Sequence, residues 1–239
     1  MRLFLVGTDT DVGKTALACA LLRAGAAASL RVLPFKPAAS GPSGPTGDPE
    51  RLAAACSLGL TAAQICPLRY AEPLAPGIAE DPAPFEARVL GLDGVEVMSR
   101  ETGPFGAVRG ALAALEASVR PDVTLVEGAG GLWVPMPGGS WLPAWISGLA
   151  AAPVVVGRLG LGTINHTLLT IAALRRLQLA PRGFFMVETR ASGDPSRARN
   201  PAIVAAASGV PCLGVLPFGE ETLPRGAWVR FCRAVAGEA

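Results

Sequence analysis

The chain has 239 residues, of which 50% are hydrophobic and only 5% are aromatic, and its formal net charge is +2. No segment reaches the roughly 18 unbroken apolar residues of a membrane span, and no secretory signal pattern opens the chain, so we expect a cytoplasmic protein without a membrane partner. The dispersed arginines and scarce aromatic residues argue against nucleic-acid binding, which favours a small-molecule ligand.

Short apolar runs alternate along the chain with longer segments of helical pattern. The runs are continuous in Val, Leu and Phe, which is typical of strands covered on both faces of a parallel sheet. They predict strands over residues 3–6, 32–35, 123–127, 153–157, 183–188 and 212–216. Helices are predicted over 15–26, 49–58, 106–119, 163–177, 195–207 and 224–235. For residues 71–106, rich in Pro and Gly, we expect a loop with short helices around 85–90. The alternation favours an α/β fold in a single domain over residues 1–239, with a mostly parallel sheet and helices on both faces.

A glycine-rich segment, GTDTDVGKT at residues 7–15, joins the first predicted strand to the first predicted helix. The backbone N–H groups of such a loop, with the positive end of the following helix, bind phosphate oxygens. In this pattern the lysine, Lys14, reaches the β- and γ-phosphates, and Thr15 binds magnesium. Five residues rather than the usual four separate Gly7 from Gly13, so a chance glycine loop is the alternative. The flanking strand and helix favour the phosphate site.

Lys14 and Lys36 are the only lysines among the 21 Lys and Arg residues. Lys36 lies at the predicted carboxyl end of the second strand, where open α/β sheets bind ligands. The following residues, PAASG at 37–41, are expected to form a loop that is neither helix nor strand. A solvated loop lysine is the simpler alternative. Arginine would serve solubility equally well, however, and cannot replace a compact ammonium at a crowded reacting centre.

Three acidic residues add further chemistry. Glu127 ends a buried strand and precedes a glycine-rich turn, where nucleotide hydrolases and kinases place a magnesium ligand; a capping carboxylate is the alternative. Asp48 precedes Pro49 and a helical run, and on spacing alone it is a helix N-cap. Asp11 lies inside the phosphate loop, where phosphates repel a carboxylate that faces no cation. It therefore indicates an amine-bearing or metal-bridged substrate.

The segment GLGTINH at residues 160–166 follows a predicted strand and begins a helix. Its free N–H groups can hold an anion, such as a substrate carboxylate. His166 is the only histidine, and its spacing favours a surface or packing role over that of a general base. Phosphoryl transfer depends more on positioning and charge neutralisation than on a strong base.

Four motifs taken together resemble dethiobiotin synthetase: residues 7–15, FKPAASG at 35–41, VEGAGG at 126–131 and GLGTINHTLLT at 160–170. In that family the extra residue in the phosphate loop is normal. The resemblance implies a P-loop NTPase fold and an enzyme of biotin biosynthesis that uses ATP and Mg²⁺. It would carboxylate 7,8-diaminononanoate with CO₂, supplied as bicarbonate, and close the ureido ring of dethiobiotin through a carbamate and a carbamic–phosphoric anhydride.

The resemblance also implies a role for each matching residue. The catalytic residues, which would surround the carbamate and face the diamine, are Thr10, Asp11, Lys14, Lys36 and Ser40. The magnesium ligands would be Thr15, Asp48 and Glu127, so that Asp48 becomes a ligand and not only a cap. The residues expected around the nucleotide are Gly7, Thr8, Asp11, Val12, Gly13, Lys14, Thr15, Glu127, Gly128, Gly130, Gly131, Val187, Glu188, Leu216 and Pro217.

Members of this family are homodimers with an interfacial active site, so the 160–166 loop of one subunit would hold the substrate carboxylate of the other. The residues expected at the substrate are Ser40, Gly160, Leu161, Gly162, Thr163 and Asn165. Two departures from the family are visible. Val187 and Glu188 stand where an asparagine usually reads the adenine edge, which leaves the base preference open. A family tyrosine near the substrate carboxylate has no counterpart, because Tyr70 is the only tyrosine, and Asn200 is a candidate substitute.

Three other functions remain as alternatives. Partition and septum-positioning ATPases share the sheet and the phosphate loop but act as dimerising switches. They carry a lysine near the start of the loop, and residues 8–11 contain none. An amidotransferase-type relative of the corrinoid pathway would need a glutaminase domain, for which we expect no room in 239 residues. A non-catalytic nucleotide-binding module is disfavoured because Lys36 and Asp11 are retained.

Overall fold

A computed structural model describes residues 1–41, 44–86, 103–191 and 194–237 of the chain. Its strands are β1 (Arg2–Gly7), β2 (Val32–Phe35), β3 (Ala38–Ser40), β4 (Leu68–Tyr70), β5 (Val123–Gly131), β6 (Pro135–Met136), β7 (Ser140–Trp141), β8 (Ala152–Arg158), β9 (Gly183–Val187) and β10 (Cys212–Leu216). Its helices are α1 (Lys14–Ala27), α2 (Asp48–Ala55), α3 (Ala62–Ile65), α4 (Pro76–Glu80), α5 (Ala83–Glu86), α6 (Gly103–Val119), α7 (Leu142–Gly148), α8 (Thr163–Arg176), α9 (Asn200–Ser208) and α10 (Arg225–Ala236). A short 3-10 helix, Pro195–Ala198, precedes α9.

Six of the strands form one sheet in the order β10-β9-β8-β1-β5-β2, and every neighbouring pair in it is parallel. Within the sheet, Leu5 of β1 is opposite Glu127 of β5, and Phe35 of β2 is opposite Val126. Because the carboxyl ends of parallel strands meet at one edge, the loops after β1, β2 and β5 converge there. This edge carries the candidate site.

Apolar side chains cover the sheet on both faces. Phe4 and Val6 of β1 point into a cluster with residues of α6, α7, α8 and α9. Leu3 and Leu5 point the other way, into a cluster with residues of α1, α2 and α10. The alternation follows from the two-residue side-chain period of a strand. The predicted α/β fold with helices on both faces is therefore confirmed.

All six predicted strands of the main sheet are present, but two local predictions were wrong. Residues 38–40 are not loop: they form β3, which pairs in parallel with β4, and Pro37 lies just before that strand, where its missing N–H costs no ladder hydrogen bond. Residues 195–207 are not one helix, because the chain has a 3-10 turn before α9. Pro201, in the first turn of α9, has no N–H with which to continue a helix from the preceding turn.

The prediction for residues 71–106 holds in part. Two short helices, α4 and α5, occur in it, and α5 ends at Glu86, whereas positions 87–90 of the predicted segment lie outside the described residues.

His166 is exposed on α8, as its spacing indicated. Within the described ranges, no helix combines the length and the apolar character needed to cross a membrane.

Candidate functional site

The phosphate loop connects β1 to α1 through residues 8–13. Its first N–H, that of Thr8, donates to the Val156 carbonyl of β8 at 2.9 Å. Asp11 and Gly13 have positive φ values of 56° and 91°, which turn the backbone so that its N–H groups converge near the start of α1. A Cβ on Gly13 would lie 2.5 Å from Cγ1 of Val187. Glycine is therefore required at this position by both backbone conformation and space.

The side chain of Lys14 folds back over this loop. It is buried, and its Nζ donates to the carbonyl oxygens of Gly130 at 2.7 Å and Asp9 at 3.0 Å. A Cβ on Gly7 would lie 2.6 Å from the same Nζ, so glycine makes room for the lysine. Burial lowers the pKa of Lys14 to about 8, against the opposing effect of Glu127. Phosphate oxygens can replace the two carbonyls as acceptors, and their negative charge favours the ammonium form of Lys14.

Lys36 is the centre of a buried cluster of charged groups. Its Nζ, 3% exposed, lies 2.7 Å from Glu127 Oε1 and 2.8 Å from Asp48 Oδ2. Thr15 Oγ1 lies 2.7 Å from Asp48 Oδ1 and 2.8 Å from Glu127 Oε1. Four residues from four different segments thus meet in one hydrogen-bonded group, which includes the second lysine that sequence composition singled out.

The protonation of Lys36 follows from these contacts. Burial disfavours its ammonium form, but the Glu127 and Asp48 carboxylates outweigh burial and raise the pKa of Lys36 above its ordinary value. The pKa of Asp48 is lowered, because Lys36 and the Thr15 hydroxyl outweigh the effect of burial on that carboxyl. Lys36 therefore stays a cation at neutral pH, and it can neutralise charge but cannot serve as a base.

Glu127 keeps one acceptor unused. Its Oε2 is buried and has no hydrogen-bond partner among the described residues, although the residue is only 1% exposed. A buried carboxylate oxygen without a partner is costly. Together with Asp48 and the Thr15 hydroxyl, it forms the kind of all-oxygen set that would suit Mg²⁺. The residues present fit this ion.

A cavity of about 780 Å³ opens at this edge of the sheet. All five residues predicted as catalytic line it, namely Thr10, Asp11, Lys14, Lys36 and Ser40. Besides Asp11 and Lys14, the predicted nucleotide residues that line it are Gly13, Thr15, Gly128, Gly130, Val187, Glu188, Leu216 and Pro217. The Ser40 hydroxyl donates to the Leu74 carbonyl, whereas Thr10 and Asp11 are exposed to the cavity and solvent. One cavity therefore joins the phosphate loop, the lysine cluster and the ends of β9 and β10.

Other predicted residues support the cavity from outside its lining. Val12 is buried in the core, and Gly7, Thr8, Gly131 and Glu127 are not among the residues that line the cavity. The predicted substrate loop is elsewhere: Gly160, Leu161, Gly162, Thr163 and Asn165 do not line the cavity. The Thr163 hydroxyl is buried against that of Thr167 at 3.3 Å, while Leu161 is 85% exposed.

Two residues that sequence reasoning underestimated hold this second loop. Asp194 Oδ2 accepts the Leu161 N–H at 2.8 Å, and the Asn200 amide donates to the Gly160 carbonyl at 2.9 Å. Asp194 precedes Pro195 and caps the 3-10 helix through the Ser196 N–H. Its contact with a loop 33 residues away has no local sequence signature, because that contact depends on the packing of α8 against α9.

The sequence of the chain is similar to that of known proteins. The model of a family described as AAA domain matches residues 1–224. ATP-dependent dethiobiotin synthetase BioD of Anaeromyxobacter sp. (strain K) is 41% identical over 224 residues, covering 93% of this chain and 92% of that protein. The protein of the same name from Pseudomonas aeruginosa (strain UCBPP-PA14) is 37% identical over 230 residues, covering 92% and 91%.

Solved structures show the fold. The MinC:MinD cell division protein complex of Aquifex aeolicus matches with a TM-score of 0.54 at 15% identity, covering 100% of this chain and 96% of that one. The cell division ATPase MinD of Pyrococcus furiosus matches with a TM-score of 0.51 at 15% identity, covering both chains fully. These likenesses identify the P-loop NTPase fold alone. From the sequence relatives, which span nearly the whole chain at much higher identity, it follows that the chain belongs to the ATP-dependent dethiobiotin synthetase family.

Proposed function

We propose that this enzyme converts 7,8-diaminononanoate, CO₂ and ATP into dethiobiotin, ADP and phosphate. The observation that supports this most is the position of Lys36, a buried lysine paired with two carboxylates that shares one cavity with the phosphate loop. Nucleotide hydrolysis by itself requires only one cationic side chain, that of the phosphate-loop lysine Lys14. A second fixed cation beside the magnesium-type acids suits a substrate that is itself an anion and attacks the γ-phosphate, as a carbamate does.

The reaction balances in three steps. One neutral amine of the diamine adds to CO₂ and releases a proton, giving a carbamate. A carbamate oxygen then attacks the γ-phosphorus of ATP, ADP leaves, and a carbamic–phosphoric anhydride forms. The second amine, bound as an ammonium, first gives up a proton to solvent. The neutral nitrogen then attacks the carbamoyl carbon, phosphate leaves, and a further proton is lost as the ureido ring closes. No external oxidant or reductant is needed.

Each cavity residue has a place in this sequence. The Lys36 ammonium and the hydroxyls of Thr10 and Ser40 hold the carbamate oxygens against the γ-phosphate, so that attack occurs in line. The Lys14 ammonium neutralises the charge that develops on the transferred phosphoryl group. The exposed carboxylate of Asp11 faces the cavity and binds the second, still protonated amine until ring closure.

Thr15, Asp48 and Glu127 would hold Mg²⁺ in this proposal. The bound ion would neutralise charge on the β- and γ-phosphate oxygens. Lys36 then has two roles, since it neutralises the acids before the ion binds and the carbamate afterwards. The unused Oε2 of Glu127 supports this assignment over a purely structural ion-pair cluster.

The proposal includes a homodimer that works in the cytoplasm. The 160–162 loop is exposed, carries Leu161 at its tip and lies outside the cavity, which fits a loop that completes the site of a second subunit. Mixing two inactive variants tests this: Lys36→Met disables the cavity, and Gly160→Trp blocks the loop. If the loop serves the partner, refolded mixtures regain up to about a quarter of wild-type activity, because one site in the mixed dimer has both parts intact. Mixtures that stay inactive would exclude the shared site.

The function itself is tested with the whole chain, ATP, Mg²⁺, ¹³C-bicarbonate and 7,8-diaminononanoate. We expect phosphate release that depends on the diamine, and a product that carries one ¹³C in its ureido carbonyl by mass spectrometry. Lys36→Met should abolish product formation while leaving nucleotide binding measurable. Phosphate release that is indifferent to the diamine, with no ureido product, would contradict the proposal.

A further inference from the structure

One aromatic side chain is held open in the cavity wall. Phe218 is 53% exposed, although large hydrophobic side chains are usually buried. Among the described residues, it is the only aromatic one in the group of large hydrophobic side chains that are exposed. It follows β10 and lines the cavity together with Leu216 and Pro217. The other end of the same cavity is the phosphate loop, so Phe218 lies where the base of a bound nucleotide would extend.

The backbone that carries Phe218 is fixed by Glu188, which follows β9. The Phe218 N–H donates to Glu188 Oε2 at 3.2 Å, and the Glu188 N–H donates to the Leu216 carbonyl at 2.9 Å. The Glu188 carboxylate is also paired with the Arg197 guanidinium. One acidic residue therefore ties the loop after β10 to the end of β9 by two hydrogen bonds. The ring of Phe218 is left exposed on a positioned main chain.

The residues next to the Phe218 ring offer few free backbone donors to a base. Val187 is 2% exposed, and its side chain packs toward Gly13 of the phosphate loop. The N–H groups of Glu188 and Phe218 are already bonded within the protein, and Pro217 has none. Polar groups remain at Thr189, Gly219, Glu220 and Glu221, which also line the cavity, and beside them Phe218 presents an exposed ring face. Such a surface binds a base by stacking, which every base can supply.

We propose that Phe218 is the stacking platform for the nucleotide base and that Glu188 is its positioning residue. The inference rests on the proposed function only in that the cavity binds a nucleotide. Because a ring face stacks on any base, Phe218 contributes equally to the binding of ATP and GTP. A pyrimidine nucleotide binds more weakly than either, since its smaller ring stacks over less area.

Calorimetric titration without diamine tests this apart from the reaction. The probes are the non-hydrolysable analogues of ATP and GTP, and inorganic tripolyphosphate as a ligand without a base. Phe218→Ala should weaken both purine analogues by the same factor, between about 5-fold and about 150-fold, which corresponds to the 1–3 kcal/mol of base–aromatic stacking. Binding of tripolyphosphate should not change. Phe218→Trp should retain or improve purine binding, and Phe218→Leu should lose most of it.

Glu188 is tested by comparing two substitutions. In Glu188→Gln the amide oxygen can still accept the Phe218 N–H, so purine affinity should stay near that of the wild type. In Glu188→Ala the loop is released, and affinity for both purine analogues should fall while that for tripolyphosphate persists. An unchanged purine affinity in Phe218→Ala, or a loss confined to the ATP analogue, would overturn the inference while leaving the proposed function standing. Failure of the diamine reaction would overturn the function alone.

Discussion

Replacing Lys36 by Met tests whether the acidic cluster around it is a cation site or only a structural ion-pair cluster. Removal of one partner of a buried ion pair costs about 3–5 kcal/mol, because the remaining charge is left uncompensated. Glu127 is 1% exposed in its side chain and bears that full cost, whereas Asp48 is 41% exposed and is screened by water. We therefore expect Lys36→Met to lower the free energy of unfolding by about 3 kcal/mol in EDTA.

Magnesium should reverse most of that loss. If Glu127, Asp48 and Thr15 form a cation site, Mg²⁺ replaces the missing ammonium. At a free Mg²⁺ concentration 100 times its dissociation constant, the ion stabilises the variant by about 2.7 kcal/mol. In the wild type without nucleotide, Lys36 already neutralises the acids, so the same Mg²⁺ stabilises the protein much less. The assay is urea unfolding in EDTA and in MgCl₂ at equal ionic strength.

The chain provides a matched control in its other lysine. Lys14 bonds carbonyl oxygens and no carboxylate, so Lys14→Met leaves no charge uncompensated. It should change the free energy of unfolding by no more than about 1.5 kcal/mol and show no added response to Mg²⁺. Equal stabilisation of both variants by Mg²⁺, or wild-type stability of Lys36→Met in EDTA, would refute the cation-site reasoning.

Three further predictions concern the loops. Nucleotide affinity should fall from about pH 7 to about pH 9, because rising pH deprotonates Lys14, whose pKa is about 8. Calorimetry in buffers of different ionisation enthalpy should detect proton uptake on nucleotide binding. Nucleotide binding that does not depend on pH would contradict this prediction. Gly13→Ala should abolish nucleotide binding, since the methyl group meets Val187, and Val187→Ala should restore it only partly because the backbone strain persists. Asp194→Ala should raise KM for the diamine without changing that for ATP, and Asp194→Asn, whose amide oxygen can still accept the Leu161 N–H, should behave nearly as the wild type.

The parts of the site that lie on one local motif could be predicted from the sequence. Lys14 and Thr15 follow from a loop between a strand and a helix, since phosphate binding there depends on neighbouring residues alone. The meeting of Lys36 with Glu127 could be predicted only coarsely, from the rule that parallel strands end at one edge. Their contact at 2.7 Å depends on the register of β2 on β5, in which Phe35 is opposite Val126.

Contacts between distant loops were beyond prediction. Asp194 and Leu161 meet because two separate loops are placed together by α8 and α9, and no spacing rule encodes such a meeting. Phe218 is a similar case, because a Phe after a strand normally indicates core. Its exposure follows from the Glu188 contact that fixes its backbone. Short strands such as β3 were missed because three residues carry too little pattern.

The fold by itself does not decide between a switch ATPase and a synthetase, since MinD proteins share it at 15% identity. The deciding features are local. Residues 8–11 at the start of the phosphate loop contain no lysine, whereas one is expected there in a switch ATPase. This chain instead fixes its second lysine, Lys36, at the end of β2, inside its own cavity and against its own acids. In the proposed function, a cation in that position holds the anionic carbamate against the γ-phosphate, which is a role that nucleotide hydrolysis by itself does not require.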